Sequence, residues 1–171
     1  MRYLTLALSL LLLPSAVAAG TSLTPRPVDP VAAEAFAQAL ERSEIVRSLV
    51  ATLEASNVIV HIESSRTMPA GIGGMTRFVT ARGGYRYVRI SFSAELWGRD
   101  RIAILAHELQ HACEVAQSSA ADLASLRELF AKSGRRAGPY FETQAAARTE
   151  KSVLAELRGA LQSQPVIKLH H

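Results

Sequence analysis

The sequence predicts an α+β protein, with helical regions toward both ends of the chain and a small twisted β-sheet between them. Apolar residues recur at helical spacing over residues 30–56, 101–117, 121–134 and 139–160. Residues 57–93 instead carry β-branched and aromatic segments that are typical of short strands. These regions, taken in chain order, define the predicted architecture.

The first residues predict a secretory signal peptide. Arg2 supplies a positive charge, residues 4–13 form an apolar run, and Ala16-Val17-Ala18 has the small-residue pattern of a cleavage site. The apolar run is too short for a permanent membrane helix, and no later segment is apolar for long enough, so we expect no stable membrane anchor. Residues 1–19 are therefore predicted to be removed, which leaves residues 20–171 as one domain of a secreted or periplasmic protein.

Composition argues against one class of partner. The formal net charge is +4, but the basic residues are scattered, and aromatic residues make up only 6% of the chain. A nucleic-acid surface would show clustered basic residues with interleaved aromatics, so no nucleic-acid partner is expected. The single cysteine, Cys113, cannot form an intramolecular disulfide and is predicted to be buried and unreactive. Nothing in the composition indicates the oligomeric state.

The N-terminal helical region has a recognisable start. Residues 20–29 contain several prolines and are expected to form an irregular N-terminal arm. Asp29 followed by Pro30 is typical of an N-cap and a first helical position. The helical pattern then continues to about residue 56, with a predicted interruption near Ser43.

The central region contains three predicted strands, at residues 57–64, 77–81 and 85–93. Gly83-Gly84 separates the last two and can adopt the positive φ angles of a two-residue hairpin turn. Tyrosines and arginines along this hairpin are expected to form a solvated strand face. The glycine-rich segment at residues 69–75 opens no helix and has no lysine, so it is predicted to be a flexible loop rather than a phosphate site.

Three further helices are predicted after the sheet. Asp100 is a plausible N-cap for the helix at 101–117, and the next helix ends at Gly134 with Lys132 in its last turn. Residues 139–160 are predicted as one continuous helix. The remaining residues are expected to form a tail.

The helix at 101–117 carries the pattern His107-Glu108-Leu109-Gln110-His111. At 100° per residue the two histidines lie about 40° apart and one turn apart, so both imidazoles can reach one ion. Glu108 lies about 100° from His107, where it can accept a proton from water activated by that ion. The surrounding residues are apolar on nearly every side, which predicts a buried helix on which unused polar side chains would be costly.

This H-E-x-x-H pattern resembles that of the zincin metallopeptidases, and it matches over all five positions. The resemblance implies a zincin-like fold, one Zn²⁺ ion held by His107 and His111, and Glu108 as the catalytic general base. It also implies that a peptide or protein is the substrate, and that an edge strand beside the helix, here the 77–93 hairpin, pairs with it. A catalytic zinc takes a third protein ligand and keeps one position open.

Two carboxylates are candidates for the third ligand. In the glutamate-ligated zincins this ligand comes from a later helix, and Glu142, near the start of the predicted helix at 139–160, occupies that role. The extended motif that surrounds this glutamate in larger relatives is absent, as is the third histidine of the metzincins. Glu114 shares the histidine face but lies roughly 10 Å along the helix from His107. We therefore expect Glu142 to bind the ion and Glu114 to support it or lie at its rim.

Other polar residues are weaker candidates. Tyr140 precedes Glu142 and could stabilise an oxyanion, although a tyrosine at that place is more often part of a core or rim. His61 on the first predicted strand shares no spacing with a second ligand, and His170 and His171 are expected to belong to a disordered end. The sequence leaves one functional alternative open, a non-catalytic zincin-like module that binds metal or another protein.

Overall fold

The structure, a computed structural model, describes residues 25–137 and 140–162. Its elements in chain order are β1 (Arg26–Pro27), α1 (Pro30–Arg42), α2 (Glu44–Glu54), β2 (Val58–Ser65), β3 (Gly74–Arg82), β4 (Tyr85–Ser93), α3 (Gly98–Gln117), α4 (Leu123–Ser133), β5 (Gly134–Ala137), β6 (Tyr140–Thr143) and α5 (Gln144–Gln162). The predicted α+β class is confirmed. The predicted signal peptide, residues 1–19, lies outside the described residues, as do His170 and His171.

Four strands form an open mixed sheet in the order β1-β2-β4-β3. Strands β1, β2 and β4 are parallel neighbours, whereas β3 pairs antiparallel with β4 and lies at the edge. The predicted hairpin is confirmed: Gly83 and Gly84 link β3 to β4 with φ angles of +61° and +80°, which glycine adopts without strain. The edge position of β3 leaves one side of its backbone unpaired among the described strands.

Helix α3 lies at the centre of the molecule. It packs against β2, β3 and β4, against α1 and α2, and against α5. Residues that alternate along β2 and β4 are fully buried and belong to the same apolar core as α3: Val58, Val60, Ile62, Val88, Ile90 and Phe92. Eleven residues of α3 are themselves buried, so the prediction of a buried helix is confirmed. Among the described residues, no helix is long and apolar enough to cross a bilayer.

The break between α1 and α2 follows from their caps. The Asp29 carboxylate accepts a hydrogen bond from the Ala32 amide at 2.9 Å and starts α1. The Ser43 hydroxyl accepts from the Val46 amide at 3.2 Å and starts α2. Because a capping residue adopts an extended conformation, one residue suffices to separate the helices. The predicted interruption near Ser43 is therefore confirmed.

The predicted irregular arm is partly wrong. Arg26 and Pro27 form the short edge strand β1, in register with His61 and Ile62 of β2. Proline is tolerated here because a parallel edge strand needs to pair on one side only.

Asp100 is not the N-cap of α3. The helix begins at Gly98, with Trp97 as the N-cap residue and without a capping side chain. Asp100 lies in the first turn instead, where its charge interacts favourably with the amino end of the helix dipole.

The prediction of one helix over residues 139–160 is wrong at its start. Residues Tyr140–Thr143 form β6, which pairs antiparallel with β5, and the helix begins only at Gln144. Aromatic and β-branched residues at 140, 141 and 143 favour an extended chain. The Thr143 hydroxyl accepts a hydrogen bond from the Ala146 amide at 3.1 Å, so the hairpin ends where the helix is capped.

Arg86 does not belong to a solvated strand face, as the sequence suggested. Its guanidinium donates hydrogen bonds to the carbonyls of Val115 at 2.6 Å and Ser118 at 2.7 Å, and to that of Ala116 at 3.0 Å. These carbonyls lie at the end of α3, where no later helical amide is in place to donate a hydrogen bond to them. A strand residue thus supplies the cation at the end of α3.

Replacing Arg86 with alanine should destabilise the protein by about 1.5–3 kcal/mol, because carbonyls at the end of α3 lose a charged donor. Chemical denaturation of the variant measures this loss. Arg82→Ala is the control, since Arg82 is exposed on the same hairpin, and it should change stability by less than about 0.5 kcal/mol. Equal effects of the two substitutions would contradict the capping role.

Candidate metal centre

His107, Glu108 and His111 occupy one turn of α3 that is almost completely enclosed. Their exposed fractions are 8%, 4% and 6%. The periodicity of the helix places both imidazoles on the side that faces β6 and α5, whereas the Glu108 carboxylate contacts β3. Buried polar side chains of this kind need partners, and each has one.

Glu142 joins the two histidines, as the sequence predicts, although it lies on β6 and not on a helix. Ligand atoms of His107, His111 and Glu142 all lie within 4.8 Å of one another. The distance from Nε2 of His107 to Oε1 of Glu142 is 3.5 Å. The hairpin of β5 and β6 brings Glu142 to the site because it returns the chain from α4 toward α3 before α5 begins.

One carboxylate oxygen in this group has no protein partner. Oε1 of Glu142 is buried and accepts no hydrogen bond. Leaving such an oxygen desolvated and unpaired is costly, so a native structure normally satisfies it. Two imidazole nitrogens and this oxygen form a donor set that fits a single divalent cation such as Zn²⁺.

Both imidazoles are oriented by carboxylates on their Nδ1 sides. Nδ1 of His107 lies 3.0 Å from Oε2 of Glu150, and Nδ1 of His111 lies 3.0 Å from Oε2 of Glu114. An imidazole that donates its Nδ1 proton to a carboxylate has its Nε2 lone pair available as a ligand. Both Nε2 atoms are thereby prepared for one ion.

Glu114 connects the site to the next elements of the fold. Its second oxygen, Oε1, accepts a hydrogen bond from the Thr143 hydroxyl at 2.6 Å. Because the same hydroxyl caps α5, the orientation of His111 depends on where β6 ends and α5 begins. Glu114 thus lies against the Nδ1 side of His111, where it could support that histidine as the sequence suggested.

Sequence reasoning missed Glu150. It lies 43 residues from His107 in the chain, so no local spacing relates the two. A signal was nevertheless present, because Glu150 falls between Ala146 and Val153 on the buried stripe of α5. A carboxylate that interrupts an apolar stripe is a candidate for a buried partner.

Glu108 lines the same cleft as the histidines and is held by β3. The Thr76 hydroxyl lies 2.7 Å from Oε2 of Glu108 and 3.0 Å from its backbone carbonyl, and it can donate to either. Burial raises the pKa of Glu108, and the opposing effects of His111, His107 and the Thr76 hydrogen bond do not cancel it. A carboxyl group with a raised pKa is a better proton acceptor than an ordinary one.

The glycine-rich segment has a structural role that the sequence did not indicate. Gly74, predicted to be part of a flexible loop, is the first residue of β3. A β-carbon at this position would lie 2.7 Å from Oε1 of Glu108 and 2.7 Å from a methyl carbon of Ile104. Only glycine lets the edge strand pass this close to Glu108.

The charges around His111 affect its protonation. Burial lowers the pKa of His111, but the hydrogen bond to Glu114 and the charges of Glu108, Glu114 and Glu142 outweigh burial and raise it overall. Since a metal binds only the neutral imidazole, protonation of His111 and metal binding would compete at this site. The same carboxylates that favour the imidazolium also favour a cation in its place.

A cleft of about 410 Å³ opens directly onto these residues. One wall is formed by Ile72 and by residues 74–78 of the edge strand β3, and the other by Leu123, Leu126, Arg127 and Phe130 of α4. His107, Glu108, His111 and Glu142 line it together. The site can therefore be reached by a molecule much larger than water.

The remaining candidates lie elsewhere. His61 is half-buried on β2, in register with Arg26 and Arg89, and is not among the clustered ligands. The side chain of Tyr140 lies outside the described part of the structure. Cys113 is buried, as predicted, and burial raises the pKa of its thiol to about 12, which agrees with an unreactive cysteine.

Comparison with known proteins gives no relative for this chain. No protein-family model, curated protein sequence or solved structure matches it significantly. Function therefore has to be inferred from the geometry of the site.

The three carboxylates should differ in how strongly they affect metal affinity. Glu142→Ala removes a ligand and should lower zinc affinity by more than about 100-fold, whereas Glu114→Gln and Glu150→Gln should lower it by about 10- to 100-fold because they only orient histidines. Competition with a chromophoric chelator measures all three. Glu54→Gln on the surface of α2 is the control and should leave affinity unchanged. Loss of zinc from the Glu114 or Glu150 variant, with retention by Glu142→Ala, would refute the ligand assignment.

Proposed function

We propose that this protein is a secreted or periplasmic zinc-dependent hydrolase of the zincin type, and that its substrates are peptides or proteins. The observation that carries the proposal is the convergence of His107, His111 and the unpaired Oε1 of Glu142 beside Glu108. Two histidines and one carboxylate form the ligand set of catalytic zinc sites, which leaves a fourth position for water or substrate. A purely structural zinc site would be expected to fill that position with a fourth residue.

Zinc at this site would supply two effects, polarisation of a carbonyl group and a lowered pKa of water. The protein's own residues then have separate tasks. His107 and His111 are held in place by Glu150 and Glu114, so the ligands need little reorganisation when the ion binds. The low exposure of His107, Glu108 and His111 limits their contact with bulk water and would strengthen their interactions with a substrate's polar atoms.

Glu108 is the proposed general base and acid. One of its oxygens, Oε2, is within hydrogen-bond distance of Thr76, so the other is the proton acceptor. Glu108 takes one proton from the attacking water while the oxygen of that water bonds to the carbonyl carbon. It then delivers that proton to the departing amine nitrogen as the C–N bond breaks. The proton thus ends on the amine product, and the Glu108 carboxylate is regenerated.

The free edge of β3 supports a peptide as the substrate. Among the described strands, β3 pairs only with β4, and residues 74–78 on its edge line the cleft beside Glu108. An extended peptide can add to such an edge through backbone hydrogen bonds, which bind any sequence with little discrimination. That mode of binding would place a backbone carbonyl next to the metal ligands.

Metal analysis tests the first half of the proposal. The purified protein should contain one zinc per chain, with iron and manganese measured alongside, and chelation should lower its melting temperature. Saturation at 100 times Kd adds about 2.7 kcal/mol, which corresponds to roughly 5–10 °C for a domain of this size. In Glu142→Ala the chelator should have little effect. A melting temperature that chelation does not change in the wild-type protein would contradict a metal site.

Replacing Glu108 with glutamine tests the second half. The amide has nearly the same shape and still reaches Thr76, but it cannot accept the proton, so the variant should keep its zinc and lose hydrolysis by at least about 100-fold. Turnover of denatured casein and of a mixed peptide library measures activity. A variant that loses zinc would show that Glu108 is structural. A wild-type protein that binds zinc and cleaves nothing would favour the alternative, a non-catalytic zincin-like binding module.

A further inference from the structure

The wall of the cleft opposite β3 is one face of α4. Leu123, Leu126, Arg127 and Phe130 all line the cleft. At 100° per residue these four positions fall within an arc of about 100°, so they form a single stripe along the helix. Three of them are apolar, and the fourth is an arginine in the middle of the stripe.

Arg127 has no carboxylate partner among the residues that the structure describes. No acidic oxygen lies within 4.0 Å of its guanidinium. The positions three and four residues away on α4, where a helical ion pair would form, are Leu123, Ala124, Phe130 and Ala131. Asp122, at the start of the helix, is engaged by Ser125 as part of the cap.

Neither of the two described carboxylates that line the cleft forms an ion pair with Arg127. Glu108 is within hydrogen-bond distance of Thr76, and Glu142 faces His107. A second arginine, Arg77, also borders the cleft, on its β3 side. It lies in register with Arg89, while its neighbours Thr76 and Phe78 pair with the buried Ile90 and Val88. Alternation along the strand therefore directs the Arg77 side chain to the opposite face of the sheet. Arg127 is the cation on the α4 side of this cleft.

The surroundings of Arg127 are apolar. Phe130 packs edge-on against His111, with ring centroids 5.7 Å apart. Phe78 of β3 lines the opposite wall of the cleft. The exposed fraction of Leu123 is 50%. An exposed leucine beside a guanidinium can cover the apolar part of a ligand while the cation binds a charged part.

We infer that Arg127 selects substrates that carry a carboxylate group next to a large apolar side chain. The apolar side chain lies against Leu123 and Phe130, and the carboxylate accepts hydrogen bonds from the Arg127 guanidinium. The carboxylate has two chemical sources, an aspartate or glutamate side chain within the peptide or the free carboxyl end of the chain. This inference rests on the proposed peptidase function and names the substrate class of the same site.

The experiment uses matched fluorogenic peptides and the zinc-loaded protein. One set carries glutamate or glutamine at each position around a fixed phenylalanine, and a second set ends in a free carboxylate or in a carboxamide. Wild type should cleave the charged member of one set with a kcat/KM roughly three- to tenfold above that of its neutral partner, as expected for a partly screened ion pair. The set that shows this preference identifies the source of the carboxylate.

Three variants of Arg127 and one control test whether the preference depends on the charge in the cleft or on the overall charge of the protein. Arg127→Ala should remove the preference and Arg127→Glu should reverse it toward the neutral member of the set, while Arg127→Lys should retain part of it. Arg158→Glu is the control because Arg158 is exposed on α5 and does not line the cleft, and it should leave the preference intact. Arg127 is itself exposed, so these variants should fold normally, which circular dichroism verifies.

Failure of this inference can be told apart from failure of the proposed function. Cleavage with no charge preference, or with a preference that Arg127→Ala retains, would overturn the inference and leave the peptidase intact. If no peptide is cleaved, the peptidase is refuted, and fluorescence anisotropy of the same peptides decides the inference. Binding of charged peptides that weakens at least threefold in Arg127→Ala supports it, and binding without that dependence, or no binding, overturns it.

Discussion

The burial of three titratable side chains in one turn of α3 is the constraint on which the rest of this structure depends. His107, Glu108 and His111 lie on the helix that packs against the sheet and three other helices. Groups with so little exposure need partners. Three elements supply them: α5 contributes Glu150, α3 itself contributes Glu114, and β3 contributes Thr76. The topology around α3 can be understood as the arrangement that delivers these partners.

The local part of this arrangement could be predicted from the sequence. The pattern from His107 to His111 fixes its own geometry, because a helix converts spacing into angle. The glycine pair at 83–84 likewise determines a hairpin turn, and Asp29 and Ser43 determine where helices start. In each case the partners lie within four residues of each other. Short-range backbone geometry decides such features with little help from tertiary contacts.

The remaining features depend on contacts between distant residues. Glu150 is a partner of His107 only because α5 packs along α3, and Arg86 caps α3 only because β4 begins beside Val115. Residues 144–160 have a strong helical pattern, and the sequence predicts that this helix begins at residue 139. Residues 140–143 instead form β6 of the β5–β6 hairpin. Glu142 was nevertheless chosen correctly as the residue that joins the histidines, while the element that carries it was wrong. Glu142 reaches the histidines because of its place in the fold, and a strand can bring it there as well as a helix can.

The way the site is satisfied also bears on how metal binding and folding are related. In small domains whose core is a metal site, removal of the ion unfolds the chain. Here the core of buried apolar residues is extensive and independent of the site. The Nδ1 atoms already have carboxylate partners, and among the described side chains only Oε1 of Glu142 is buried without one. In this fold His107, His111 and Glu142 already lie close together. In the proposed metal site, an ion would satisfy one oxygen rather than assemble the protein, and this arrangement would suit the proposed catalysis.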